Sequence, residues 1–155
     1  MSLCPEPING RQIHDRYFDP LWAEAIDLNV PICFHPPARP EQPQVVRRFE
    51  GHPNEELLVC LRNPVELILA VSCFCAGGVL ERFPKLKVAF LEGNCSWLPF
   101  WLWRMDEHHE LREKVVSDKL PLRPSDYFAR QCFAGVEADE DIAEDVFKRL
   151  GDDNI

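Results

Sequence analysis

The sequence predicts an α/β fold with a parallel sheet wrapped by helices. Two observations carry that prediction. Three short apolar runs, Val30–Phe34, Val88–Leu91 and Gln131–Val136, are each followed by helical patterning. Strands covered on both faces read this way, and strand–helix alternation is the grammar of a parallel sheet. Each run also ends in a residue able to do chemistry: His35, Glu92 and Glu137. In parallel α/β folds the chemistry sits at the C-terminal ends of strands.

The elements follow in chain order. Residues 1–18 carry Pro5, Pro7 and Gly10 and read as an extended N-terminal arm before a single domain at 19–155; Met1-Ser2-Leu3 is given no structural weight. Asp19-Pro20 is an N-cap followed by Pro at N1, Leu21, Trp22, Ala25 and Ile26 mark one helical face, and Asn29 stops the helix. The first strand runs into His35-Pro36-Pro37 and a polar loop to about Pro53, long enough to be a lid or an insertion. Asn54–Leu61 predicts a short helix. Asn63-Pro64 repeats the cap-plus-Pro signal and opens an apolar helix to about Ala76, stopped by Gly77-Gly78. Val79–Phe83 is one more helical turn. After the second strand, Gly93 permits a turn, Ser96 is a candidate N-cap and Pro99 fits the first turn of a helix that turns polar from Glu107 to Asp118. Ser125 is a candidate cap for a turn through Phe128, and a polar helix spans about Asp139–Leu150.

Composition bounds the function. The 155 residues are one domain's worth of chain, and 46% apolar content is that of a globular protein. A net charge of −9 argues against nucleic acid or an anionic membrane as partner. The seven cysteines include no CxxC and lie mostly in apolar runs, which predicts reduced, buried thiols in a cytoplasmic protein. The longest apolar stretch, Val65–Val79, contains Glu66 and is too short to span a bilayer.

Several stretches together resemble the amidohydrolase-related (amidohydrolase 2) family of metal-dependent hydrolases and decarboxylases. Phe18–Trp22 with Val30–Pro36 resembles the approach to its fifth strand, and Gly78–Gly93 its sixth strand and approach. Trp97–Asp106, Pro124–Phe128 and Gly151–Ile155 add further matches in the same order. The resemblance implies a partial (βα)8 TIM barrel. This chain would hold the strand five to helix seven portion, about three parallel strands flanked by helices, against roughly 250 residues for a whole barrel. The family's metal pocket also uses a His-x-His pair on strand one and an Asp after strand eight, and neither has a counterpart here.

The resemblance makes His35 the metal ligand and Glu92 the catalytic residue, as a second ligand or a proton shuttle; the alternative for Glu92 is a capping or salt-bridging carboxylate. Glu137, beside Asp139, Glu140 and Asp141, reads as complementing the next helix N-terminus. Arg104 and Asp106 read as structural ion-pair partners, His108-His109 as a solvated face, His14 and His52 as loop residues, and Trp97, Trp101 and Trp103 as core packing. Two functions remain in competition. One is a fragment of a metal-dependent hydrolase or non-oxidative decarboxylase acting on a small molecule. Its complete parent would hold a divalent metal, zinc being the expected ion, while this chain holds none or little and is inactive. The other is a non-catalytic half-barrel serving as an oligomeric scaffold. Both predict a homodimer. An open half-barrel bares two sheet edges, on the His35 and Glu137 strands, and an inner face with residues such as Cys33, Val88 and Phe90. Several hundred Å² of wet apolar surface would cost on the order of 10 kcal/mol.

Overall fold

The computed structural model describes residues 1–5, 7–35, 47–49, 51–112 and 120–155. The proline-rich loop expected after His35 and the far end of the polar helix fall largely outside these residues. A four-stranded parallel sheet is formed by β1 (Ser2–Leu3), β2 (Ile32–Phe34), β3 (Val88–Phe90) and β4 (Cys132–Ala134), in that spatial order. Among the described residues six α-helices accompany it: α1 (Asp19–Asp27), α2 (Glu55–Cys75), α3 (Val79–Arg82), α4 (Leu98–Arg112), α5 (Pro124–Gln131) and α6 (Ala143–Leu150). Neighbours in space are neighbours in sequence. That is the winding of a barrel; a doubly wound sheet would reverse direction part-way.

The three expected strands are present, and a fourth was missed. Met1-Ser2-Leu3 is part of the sheet: Cys33 N–H donates to the Met1 carbonyl at 2.7 Å and His35 N–H to that of Leu3 at 3.0 Å. A two-residue strand is too short to show any periodicity. The edges of the sheet are therefore β1 and β4, and the His35 strand is interior.

Register decides which residues form the core. Ile32, Phe34, Val88, Phe90, Cys132 and Ala134 are buried, while Cys33 and Ala89 are half-buried and Phe133 is exposed. The cross-strand rows Cys33–Ala89–Phe133 and Phe34–Phe90–Ala134 give the two faces. Val88 and Phe90 thus lie under the helices and not on the inner face, where only Cys33 of the three expected residues sits. A file of rings crosses the sheet on the helix side: Phe74 to Phe34 at 5.1 Å, Phe34 to Phe90 at 5.8 Å and Phe90 to Phe128 at 6.2 Å.

The helices correct four capping assignments. Asn29 stops α1 as expected, at φ +53°. Its N–H bonds to Ile26 O and that of Val30 to Ala25 O, which is a Schellman closure. Asp19, however, is already helical, and its carboxylate grips the Arg82 guanidinium at 2.7 Å. The cap lies upstream, where Asp15 accepts the Tyr17 N–H and starts a 3-10 turn that runs into α1. The two helices expected around Asn63-Pro64 are one, α2, capped by Asn54. Pro64 lacks only one helical donor, and the half beyond it is held by burial of Leu67, Ala70, Val71 and Phe74. At 21 residues α2 is long and apolar enough to cross a membrane by length and composition alone, contrary to the estimate from Val65–Val79. Ser125 donates its hydroxyl and N–H to Asp106 and caps nothing itself, so Asp106 tethers α4 to α5 and has no ion pair with Arg104, which meets Glu107. Ser96 is treated with the site below.

Gly93 is required for space. Its φ is not left-handed, and a Cβ there would lie 2.4 Å from Leu67 Cδ1, in a side chain that is fully buried. Gly93→Ala is expected to cost about 1–3 kcal/mol by overpacking, and Leu67→Ala about 2–5 kcal/mol by leaving a cavity. Because the new methyl enters that cavity, urea unfolding of the double variant should show a smaller loss than the two single losses together. Strict additivity would contradict this account.

Candidate functional site

His35 and Glu92 meet at the C-terminal edge of the sheet, His35 Nε2 lying 3.0 Å from Glu92 Oε2. Their approach is not a simple consequence of strand pairing. Phe34 pairs with Phe90, so His35 is level with Leu91, and Glu92 is one residue further. By alternation Glu92 would face the helices, as Val88 and Phe90 do. It reaches the imidazole because its backbone leaves the extended region, at φ +60°. For a non-glycine residue that conformation costs roughly 1–2 kcal/mol, and such strain persists where the surroundings over-determine it.

Those surroundings are explicit. Glu140, in the loop between β4 and α6, sends its carboxylate across to the turn after Glu92. It accepts the N–H of Cys95 at 2.9 Å, the N–H of Ser96 at 2.7 Å and the Ser96 hydroxyl. It also accepts the Glu137 N–H at 3.3 Å. Trp97 Nε1 donates to Gly93 O at 2.7 Å. Ser96 is therefore a donor to Glu140, two residues before α4, and does not cap it. Burial works to raise the Glu140 pKa, but the hydrogen bonds from Ser96, Cys95 and Glu137 outweigh it and hold the carboxyl below its ordinary value. Burial, reinforced by the Glu140 charge, pushes the neighbouring Cys95 thiol up to about 11.

Glu137 does not join His35 and Glu92, and nothing in residue type or spacing singles out Glu140 from the acidic run around it. The only sequence cue was that run, and its target lies 45 residues away. His14 Nδ1 contacts Cys73 Sγ at 3.2 Å, and His52 accepts the Asn54 N–H, so both have local roles. Trp97 and Trp101 are half-buried, Trp101 donating to Ser72, but Trp103 is exposed and outside the core. None of the seven cysteines is in a disulfide; Cys75, Cys95 and Cys132 are buried and Cys60 is exposed.

The donors His35 Nε2 and Glu92 Oε2 suit a divalent cation. Adjacent ligands lie about 2.9 Å apart in an octahedral shell and about 3.3 Å apart in a tetrahedral one, close to the observed 3.0 Å. Among the described residues no group of three His, Cys, Asp or Glu side chains gathers to complete such a shell.

Parallel strands wound in sequence order, with a histidine and a carboxylate at their C-terminal tips, are the arrangement of a portion of a TIM barrel. A family profile described as Amidohydrolase matches residues 2–155, and the chain belongs to that family. The 2-amino-3-carboxymuconate-6-semialdehyde decarboxylase of Dictyostelium discoideum is 24% identical over 148 residues, which are 96% of this chain and 39% of that protein. An amidohydrolase from Mycobacterium avium subsp. paratuberculosis superposes with a TM-score of 0.80 at 20% identity, over 99% of this chain and 39% of its own. A dihydroxybenzoic acid decarboxylase from Polaromonas, with bound manganese and the inhibitor 2-nitroresorcinol, superposes at 0.64 and 20% identity, over 92% of this chain and 42% of its own. The chain thus spans about two fifths of the length of these relatives.

The Glu140 bonds predict a pH dependence. A carboxyl whose folded pKa lies below its ordinary 4.5 adds stability that is present above that value and is lost as pH falls through the lowered one. Glu140→Gln should lower stability by about 1–2 kcal/mol at neutral pH. It should also flatten the decline of the urea midpoint below about pH 4.5. Equal acid sensitivity in both proteins would remove Glu140 from this role.

Proposed function

We propose that the chain, strand five to helix seven with the short β1 strand beside them, is part of a metal-dependent, non-oxidative decarboxylase of a small carboxylate, or of a related hydrolase. The observation that carries this reading is the His35–Glu92 pair at the sheet's C-terminal edge. Decarboxylases among the relatives favour loss of CO2 over hydrolysis, and the manganese of the Polaromonas enzyme makes manganese as suitable a candidate as zinc.

His35 would hold the divalent ion through Nε2, with Glu92 beside it as a second ligand or a proton carrier. When bound, the ion would supply positive charge to orient and polarise a substrate carboxylate. Glu92 moves the proton. In decarboxylation it delivers one to the carbon that loses CO2; in hydrolysis it takes one from water. Its exposure to solvent lets it recover either state between turnovers.

Fusing residues 1–155 into the matching segment of a complete relative tests the reading. The expected result is manganese-dependent CO2 release from an aromatic or unsaturated carboxylate. It should be lost in His35→Ala and lowered by roughly 10²–10⁴ in Glu92→Gln. A folded, manganese-loaded fusion that releases no CO2 would refute it. The 155-residue chain by itself should show no turnover and hold much less than one metal per chain, since two donors do not enclose an ion. Stoichiometric metal bound by one chain through three or more side chains would contradict this.

The second reading, a half-barrel scaffold, draws on the sheet face away from the helices, where Phe133 is 40% exposed, and on Val136 just beyond β4, 44% exposed. Either reading has this face covered by a second copy, and two-fold pairing is the commonest solution. Sedimentation at micromolar concentration should show a dimer; a single 18.0 kDa species would reject it. The unbridged cysteines support a reducing, cytoplasmic compartment. The charge of −9 argues against nucleic acid or an anionic membrane as partner.

A further inference from the structure

We infer that Glu140 is the positioning residue of the site: it holds Glu92 in its left-handed turn and thereby against His35. The inference deepens the functional reading above and rests on it for its catalytic meaning, but its structural content can be tested without metal or substrate.

Three observations converge on it. Glu92 must break strand alternation to reach His35, and it does so at φ +60° with Asn94 also left-handed at φ +59°. Two departures of this kind within three residues, both in non-glycine residues, need an external restraint. The restraint reaches the turn from both ends. On one side Gly93 is pressed against Leu67 of α2, and Leu91 N–H is bonded to Phe34 O at 2.9 Å. On the other, one carboxylate gathers two backbone N–H groups and a hydroxyl immediately after Asn94. A carboxylate is the one common side chain that accepts several such bonds while donating none, and charge-assisted bonds are roughly twice as strong as neutral ones.

The geometry also excludes a role for Glu140 as an acid or a ligand. Both its oxygens are committed to the loop: Oε1 to Cys95 and Ser96, Oε2 to Cys95 and Glu137. It therefore acts through Glu92. It also joins the loop after β4 to the turn after β3, so that displacement at one strand tip is transmitted to the next. In metal sites the groups that orient the ligands typically contribute ten- to a hundredfold to metal affinity.

The test compares the wild-type chain, Glu140→Ala, Glu140→Gln and a distant core variant, Leu80→Ala, in which a fully buried side chain is truncated. The φ-dependent coupling of the Glu92 amide and the nuclear Overhauser contact between the His35 ring and the Glu92 γ-protons are read by NMR. Manganese binding is then read by line broadening at His35. Glu140→Ala should abolish the left-handed coupling and the contact, and weaken His35-centred broadening by about ten- to a hundredfold. Glu140→Gln keeps an accepting oxygen and should lose less of each. Leu80→Ala should lose stability and none of these signals. A merely structural Glu140 would behave as Leu80 does, and that result overturns the inference. So does a Glu140→Ala chain that keeps the turn and the contact. If Glu140→Ala does not fold, Glu140→Gln decides by the same coupling and contact, an unchanged pair of signals again overturning it. If wild type shows no broadening that depends on His35 and Glu92, the metal reading fails, and the coupling and the contact alone judge Glu140.

Discussion

The constraint on which the rest depends is the register of β2 against β3. Phe34 stacks on Phe90 with ring planes 16° apart and centroids 5.8 Å apart, and Phe74 and Phe128 extend the file on either side. A slip of one residue would turn one strand's core residues to the open face and destroy that stack. The stack is thus a device for alignment as well as for burial. It places His35, the first residue after β2, level with Leu91, the first residue after β3, which is the starting condition for His35 and Glu92 to meet.

Register alone would still leave the two side chains on opposite faces. The second ingredient is local strain at Glu92, and the third is the set of groups that pin it. These sit on three different elements: Leu67 on α2, Trp97 at the start of α4 and Glu140 before α6. A site assembled in this way inherits the stability of the whole helix layer. It also explains why so exposed a pair, with the Glu92 side chain 59% accessible, can have a defined geometry at all: the side chain is wet, and the backbone beneath it is not free to move.

How much of this was legible in the sequence follows from the range of each interaction. The strands around His35, Glu92 and Glu137 were legible because each is a short apolar run bounded by polar residues and followed by helical patterning. The Asn29 stop was legible because its closure involves only residues 25 to 30. The cap assignments failed where a polar side chain had a partner far along the chain. Asp19 has Arg82, Ser96 has Glu140 and Ser125 has Asp106, at separations of 63, 44 and 19 residues. In each case a residue type favoured at helix starts was present at a helix start, but a charged partner elsewhere used it. β1 was missed for the opposite reason: its hydrogen bonds involve the backbone alone, and two residues carry no pattern. Assigning Val88 and Phe90 to the inner face was an error of parity, since an all-apolar strand does not show which residues face which side.

The open face gives the same argument a functional turn. Ser2, Cys33, Ala89 and Phe133 form one row across the four strands, and three of them are small. His35 and Leu91 continue that face by alternation beyond the strand ends. A covering surface that packs against the row therefore also closes over His35, removing water from the imidazole while leaving the committed oxygens of Glu140 untouched. The polar contact between His35 and Glu92 strengthens in a lower local dielectric, so whatever completes the sheet tightens the site it covers. The half-barrel carries His35 and Glu92 already aligned by its own core; on the proposed reading, a covering surface would have only to supply the remaining donors and the low dielectric.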